Sequence, residues 1–133
     1  MLPKKILVVD DEITITRLLK LNLEKTGAYV VREENRGARA FAAAREFKPD
    51  LILLDVMMPD LDGGEVAAQL QADPLMKGIP IIFLTAAVKK EELSARDGFI
   101  GGFPYIAKPL DAKGVQAQIE KQLGGLEATK LKG

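Results

Sequence analysis

Short, wholly apolar runs recur along this chain, each followed by a helical pattern, and that alternation restricts the fold more than any other feature. Ile6-Leu7-Val8-Val9 and Leu51-Ile52-Leu53-Leu54 have no polar alternation. Such runs read as strands buried on both faces, the condition of parallel sheets. A parallel connection needs a crossover, here supplied by a helix. The pattern gives strands at Ile6–Val9, Tyr29–Val31, Leu51–Leu54, Ile79–Leu84 and Tyr105–Ala107. Helices are expected over about 13–26, 36–47, 64–72, 88–96 and 112–123. In the first, Ile15, Leu18, Leu19 and Leu23 make the buried face. The second buries Phe41, Ala44 and Phe47 before Pro49; the third carries Val66 and Leu70. The expected architecture is α/β, a doubly wound five-stranded parallel sheet with helices on both faces. Residues 1–123 form one domain, and 124–133, after Gly124-Gly125, read as a tail or cut linker. At 133 residues there is room for one core and not two.

Composition narrows the chemistry. Cys and His are both absent, which excludes disulfides, thiolate chemistry and imidazole bases or ligands. Lys plus Arg equals Asp plus Glu at 19 each, so no net field points to nucleic acid or membrane. No apolar run is long enough to span a bilayer, and the first residues lack a signal-peptide pattern. A cytoplasmic protein is expected. Its chemistry must rest on carboxylates, hydroxyls and lysines, with or without a hard metal.

Those groups stand at the strand ends. Asp10-Asp11-Glu12 follows the first strand and Asp55 ends the third; Thr85 follows the fourth and Lys108-Pro109 the fifth. In a parallel sheet these ends share one edge, where open α/β sheets bind ligands. Singly, each has a structural explanation: an Asp or Thr capping a helix, acids in a first helical turn, a Pro at N1, a turn at Asp62-Gly63, a methionine filling the core. Together they need another. Two carboxylates ~4 Å apart repel by roughly 4 kcal/mol at an effective dielectric near 20. A cluster of three with one Lys either raises a pKa or holds a cation. An all-oxygen site suits Mg²⁺ or Mn²⁺. One carboxylate is then free to act as a nucleophile, with Lys108 and Thr85 to neutralise a phosphoryl group.

With these pieces in order, the chain resembles the receiver domain of bacterial two-component response regulators, from about Lys4 to Leu123. The resemblance rests on Ile6-Leu7-Val8-Val9-Asp10-Asp11-Glu12, on Pro49-Asp50-Leu51-Ile52-Leu53-Leu54-Asp55-Val56-Met57-Met58-Pro59 with Asp62-Gly63, on Ile79-Pro80-Ile81-Ile82-Phe83-Leu84-Thr85-Ala86, and on Tyr105-Ile106-Ala107-Lys108-Pro109. It implies the flavodoxin-like strand order 2-1-3-4-5, which the family's small chemotaxis member shares. It implies that Asp55 is the phosphoacceptor. Asp10 and Asp11 become metal-site acids with Asp55 and the Met57 backbone carbonyl. Thr85 and Lys108 become phosphoryl-binding residues, and Thr85 and Tyr105 the switch pair. The implied partners are a sensor histidine kinase or phosphotransfer protein as donor and a downstream effector of unknown identity, with no nucleic acid bound by this domain. Dimerisation on phosphorylation stays open. Met57 and Ala87, flanking the acceptor, offer no side chain to orient a hydrolytic water, so slow loss of the phosphoryl group is expected.

The chain departs from the family at Gly98-Phe99-Ile100-Gly101-Gly102-Phe103-Pro104. Its apolar residues either pack inward under a distorted helix or meet a partner. Pro104 suits a strand start at a sheet edge. Three rival functions remain. A Mg²⁺-dependent aspartyl phosphatase would usually carry an acid at position 57, where Met stands. A flavin-binding module would meet repulsion from Asp10-Asp11-Glu12. A partner-binding receiver-like module without phosphorylation would leave the acid–Thr–Lys set without a purpose.

Overall fold

The computed structural model describes residues 2–94 and 98–132. The elements run β1 Lys4–Val9, α1 Ile13–Lys25, β2 Tyr29–Glu34, a 3-10 turn Gly37–Arg39, α2 Ala40–Phe47, β3 Leu51–Asp55, α3 Gly63–Ala72, β4 Ile81–Thr85, α4 Lys90–Ser94, β5 Phe99–Ile100, β6 Phe103–Ala107 and α5 Ala112–Lys132. The sheet order is β2-β1-β3-β4-β6-β5. The five parallel strands stand in the expected order, and β5 is an added antiparallel strand on the outer side of β6.

Alternation along the strands sorts the core into two layers. Leu7, Val9, Ile52, Leu54, Ile81 and Phe83 face α2 and α3, meeting Ala40, Ala43, Ala44, Val66 and Leu70. Ile6, Val8, Leu51, Leu53, Ile82 and Leu84 face α1 and α5, meeting Leu19, Leu23, Val115 and Ile119. Every residue of β3 and β4 is buried, as the unbroken apolar runs require.

Several local expectations are corrected. Leu18 is 56% exposed, whereas Thr16, Leu19 and Leu23 are buried. At 3.6 residues per turn, Leu18 lies about 130° round the helix from the centre of that stripe. Residues 37–39 form a 3-10 turn, so α2 begins at Ala40. Three alanines give it close approach to the sheet, and Phe41 and Phe47 pack only in part. It stops at Lys48, which takes φ 53° before Pro49. The fourth strand starts at Ile81, not Ile79, because Pro80 has no N–H for the ladder; its carbonyl accepts from Ile52 N–H. α4 is only Lys90–Ser94; the expected continuation through 96 lies outside the described residues. α5 does not end at Gly124-Gly125 but runs to Lys132.

The Gly98–Pro104 stretch, expected to pack inward or to meet a partner, forms a hairpin. Phe99 pairs with Pro104 and Ile100 with Phe103. Gly101 and Gly102 turn the chain with φ of 59° and 86°, the conformation a two-residue hairpin loop needs. Phe103 does pack inward, edge-on to Phe83 at 5.2 Å between ring centroids. Pro104 is the second residue of β6, and β5 covers that strand's outer side at its start.

One glycine fixes the approach to the sheet's functional edge. Gly63 N–H donates to the Val56 carbonyl at 2.8 Å. A Cβ on Gly63 would run into the Asp55 carbonyl oxygen and the Val56 backbone. Gly63→Ala is therefore expected to destabilise the protein by about 1–3 kcal/mol, the usual cost of overpacking. Gly78→Ala, where an added Cβ meets nothing within 4 Å, should not. Equal urea midpoints for the two variants would contradict this.

Candidate functional site

Parallel strands β1, β3, β4 and β6 end on one edge and bring Asp10, Asp55, Thr85 and Lys108 to it. One carboxylate oxygen each from Asp10, Asp11 and Asp55 lies within 4.8 Å of the other two. Asp10 and Asp55 are buried and Asp11 is exposed, so the cluster has a closed floor and an open mouth.

Asp10 is held on every side. Its N–H donates to the Glu34 carbonyl at 3.1 Å, and its own carbonyl accepts from Asn35 Nδ2 at 2.8 Å. Its Oδ1 accepts from Glu12 N–H at 2.9 Å. Its Oδ2 is buried and has no aligned hydrogen-bond donor. The compensation it has is ionic: Lys108 Nζ lies 2.9 Å from it. The same ammonium reaches Glu12 Oε1 at 3.0 Å and Asp55 Oδ1 at 3.4 Å. With its side chain only 11% exposed, Lys108 is the counter-charge for three carboxylates.

One cation is not enough for them. Burial, and then the Asp10 charge, push the Asp55 carboxyl up to about 6, against the opposing pull of Lys108 and the Met57 amide. Burial also raises Asp10, partly offset by the Glu12 amide and by Lys108. Burial pulls Lys108 down, but Asp10, Glu12 and Asp55 outweigh it and hold the ammonium above its ordinary value.

Thr85 is buried. Its Oγ1 accepts from Ala87 N–H at 3.0 Å, and its carbonyl accepts from Lys108 N–H at 2.7 Å. It follows Leu84, the register partner of Asp55, and itself pairs with Ala107. Tyr105, the register partner of Phe83, stacks on that ring at 5.0 Å with a 33° tilt. Met57 turns its side chain out, 68% exposed, whereas Met58 is buried in the core.

Three side chains at or near this edge have partners that the sequence does not announce. Glu12 looked like an ordinary first-turn acid, yet it shares Lys108. Asn35 had no signal; its role comes from β2 ending beside β1. Asp60 accepts from Gly37 N–H at 3.2 Å and Ala38 N–H at 2.9 Å, partners on a separate segment. Asp62, read as turn chemistry, is the N-cap of α3, accepting from Glu65 N–H at 2.9 Å.

The sequence matches the family model for the response regulator receiver domain over residues 6–120. It is 47% identical over 118 residues to the alkaline phosphatase synthesis transcriptional regulatory protein PhoP of Bacillus subtilis, covering 88% of this chain and 47% of that protein. It is 36% identical over 124 residues to the polar-differentiation response regulator DivK of Brucella anthropi, covering 92% and 98%. The chain thus spans about half the length of some curated relatives, PhoP among them, and nearly all of DivK. Among solved structures, chemotaxis protein CheY4 of Vibrio cholerae superposes with a TM-score of 0.76 at 28% identity, covering 90% of this chain and 98% of that one. A CheY-like receiver domain protein from Methanospirillum hungatei gives 0.80 at 26%, covering 96% and 99%. Sequence, strand order and the acid cluster at the strand ends agree: this chain belongs to the response regulator receiver domain family.

Proposed function

We propose that Asp55 accepts a phosphoryl group from a phosphohistidine on a sensor kinase or phosphotransfer protein, and that the modification switches the domain for a downstream effector. The observation that carries this reading is the shared edge: a buried acceptor carboxylate, two further acids and one Lys. An Asp55 oxygen forms the bond to phosphorus as the phosphorus–nitrogen bond of the donor breaks, and the imidazole leaves with that electron pair. With its carboxyl at about 6, Asp55 is largely ionised at neutral pH and available as nucleophile.

The residues fit a hard divalent cation. The donors are all oxygens, three carboxylates converge, and Asp10 Oδ2 is buried with the Lys108 ammonium, shared among three carboxylates, as its compensation. Asp10, Asp11, Asp55 and the Met57 carbonyl would hold Mg²⁺, or Mn²⁺ in its place. When bound, the ion supplies positive charge to the phosphoryl oxygens. Lys108, already against Asp55, adds a second cation there. The Thr85 hydroxyl leaves the Ala87 amide for the phosphoryl group, and Tyr105 shifts on Phe83 in response. The domain itself binds no nucleic acid in this reading, and it acts in the cytoplasm. Among the described residues no helix is long and apolar enough to cross a membrane.

Treatment with acetyl phosphate and Mg²⁺ should give a single phosphate adduct by intact mass. That adduct should be absent in Asp55→Asn and in chelator. Labelling that persists in Asp55→Asn would point to another acceptor. Met57 and Ala87 supply no group to orient water, so the adduct should outlast seconds by a wide margin under ordinary Mg²⁺ conditions. A half-life of a few seconds, or continuous hydrolysis of a phosphate ester, would contradict a switch that holds its phosphoryl group.

A further inference from the structure

We propose that Asp60 is a positioning residue, setting the divalent-cation affinity of the site by pinning the loop that carries the Met57 carbonyl. The inference rests on the reading that this carbonyl joins Asp10, Asp11 and Asp55 as a ligand.

The loop from Val56 to Gly63 is closed at its base. Val56 N–H donates to the Leu84 carbonyl at 3.0 Å, and Gly63 N–H donates to the Val56 carbonyl at 2.8 Å. Asp62 is committed to capping α3. The crest of the loop is tied to another element. Asp60 Oδ1 accepts from Gly37 N–H and Oδ2 from Ala38 N–H, so both oxygens of one carboxylate clamp the 3-10 turn that starts α2. Those two amides hold the Asp60 carboxyl below its usual value, Ala38 contributing more, so the clamp stays ionised across the working pH range. The two backbones are packed tightly here: a Cβ on Gly37 would run into the Leu61 carbonyl and lie 3.1 Å from Met58 Cε.

Met57 therefore sits between a residue fixed to the sheet, Val56, and one buried in the core, Met58, with the crest held from beyond. Its own side chain, turned to solvent, contributes little to its position. A small, octahedral cation tolerates little error in ligand placement. Groups that orient metal ligands from behind typically change affinity 10–100-fold when removed. Asp60 is the one charged side chain on this loop aimed at the second element, which makes it the natural place to look for that effect.

The test measures Mn²⁺ affinity of the full chain at 25 °C from the electron paramagnetic resonance signal of free Mn²⁺. Asp60→Ala should weaken binding about 10-fold. Asp60→Asn removes the same charge but keeps one acceptor oxygen, and should lose clearly less. Gly37→Ala disturbs the loop from the opposite side through the Leu61 carbonyl without touching any charge, and should also weaken binding. Melting in chelator shows whether each variant is folded at the assay temperature; a purely structural role would lower that midpoint and leave the affinity of the folded protein unchanged. Equal losses in Asp60→Ala and Asp60→Asn would reduce the effect to charge and overturn the inference. A parent that binds Mn²⁺ and an Asp60→Ala that binds it equally well would overturn it alone. A parent that binds no Mn²⁺ would overturn the metal-site reading and this inference with it.

Discussion

Asp55→Asn is expected to make the metal-free protein more stable at pH 7.5, by about 1–3 kcal/mol, while removing its phosphorylation. The sign follows from linkage. The Asp55 carboxyl ionises at about 6 in the fold against an ordinary 3.8, because it is buried and faces Asp10. Between those values the folded state binds more protons than the unfolded one, so stability falls as pH rises through about 6. A rise of that size corresponds to on the order of 3 kcal/mol at most. Asparagine abolishes the charge and keeps the shape, and it removes the repulsion from the buried Asp10 carboxylate. The advantage should shrink to nothing by pH 4, where Asp55 is protonated in the parent as well. Urea denaturation in chelator at the two pH values measures it. A variant no more stable than the parent at pH 7.5 would show that the fold does not strain to keep Asp55 ionised.

Lys108→Ala should have the opposite and larger effect. It leaves the buried carboxylates of Asp10 and Asp55 facing each other without a counter-ion. Removing one partner of a buried ion pair typically costs 3–5 kcal/mol, most of it the unpaired charge left behind. The loss should be greatest at pH 7.5 without metal. It should ease as pH falls toward about 6, because without the pull of Lys108 the Asp55 carboxyl takes up its proton above that value. The same substitution in an Asp55→Asn background should cost distinctly less, because one of the stranded charges is gone; a double-mutant cycle reads the difference as coupling. If the two losses were equal, or the single loss at pH 7.5 were under ~1 kcal/mol, Lys108 would not be the counter-charge described here.

What the sequence made legible follows from where the constraints act. Leu51 to Leu54 could be read because a strand with two buried faces admits no polar residue, and the structure buries every one. Asp10, Asp55, Thr85 and Lys108 could be assembled because parallel strands share a C-terminal edge, a consequence of topology alone. Positions that depend on one element meeting another were less accessible. Leu18 is apolar but points away from the sheet, and only the docking angle of α1 decides that. Asp60 meets amides some twenty residues away, with no local pattern to announce it. Glu12 fits both a helix start and the Lys108 cluster, and sequence cannot separate the two. The hairpin is different, because its signal was present. Gly101-Gly102 between Phe99-Ile100 and Phe103-Pro104 is a two-residue glycine loop flanked by apolar pairs.

The central claim is that the carboxylate of Asp55, and not one of its acidic neighbours, carries the phosphoryl group. Acyl phosphates are reduced by borohydride to the corresponding alcohol, so a phosphorylated Asp becomes homoserine and can be located by tandem mass spectrometry. After treatment with acetyl phosphate and Mg²⁺ and then borohydride, the peptide containing Asp55 should carry homoserine at position 55, with Asp10, Asp11 and Asp60 unchanged. Homoserine at any of those three with an intact Asp55, or none anywhere in a protein that gained a phosphate by intact mass, would contradict it.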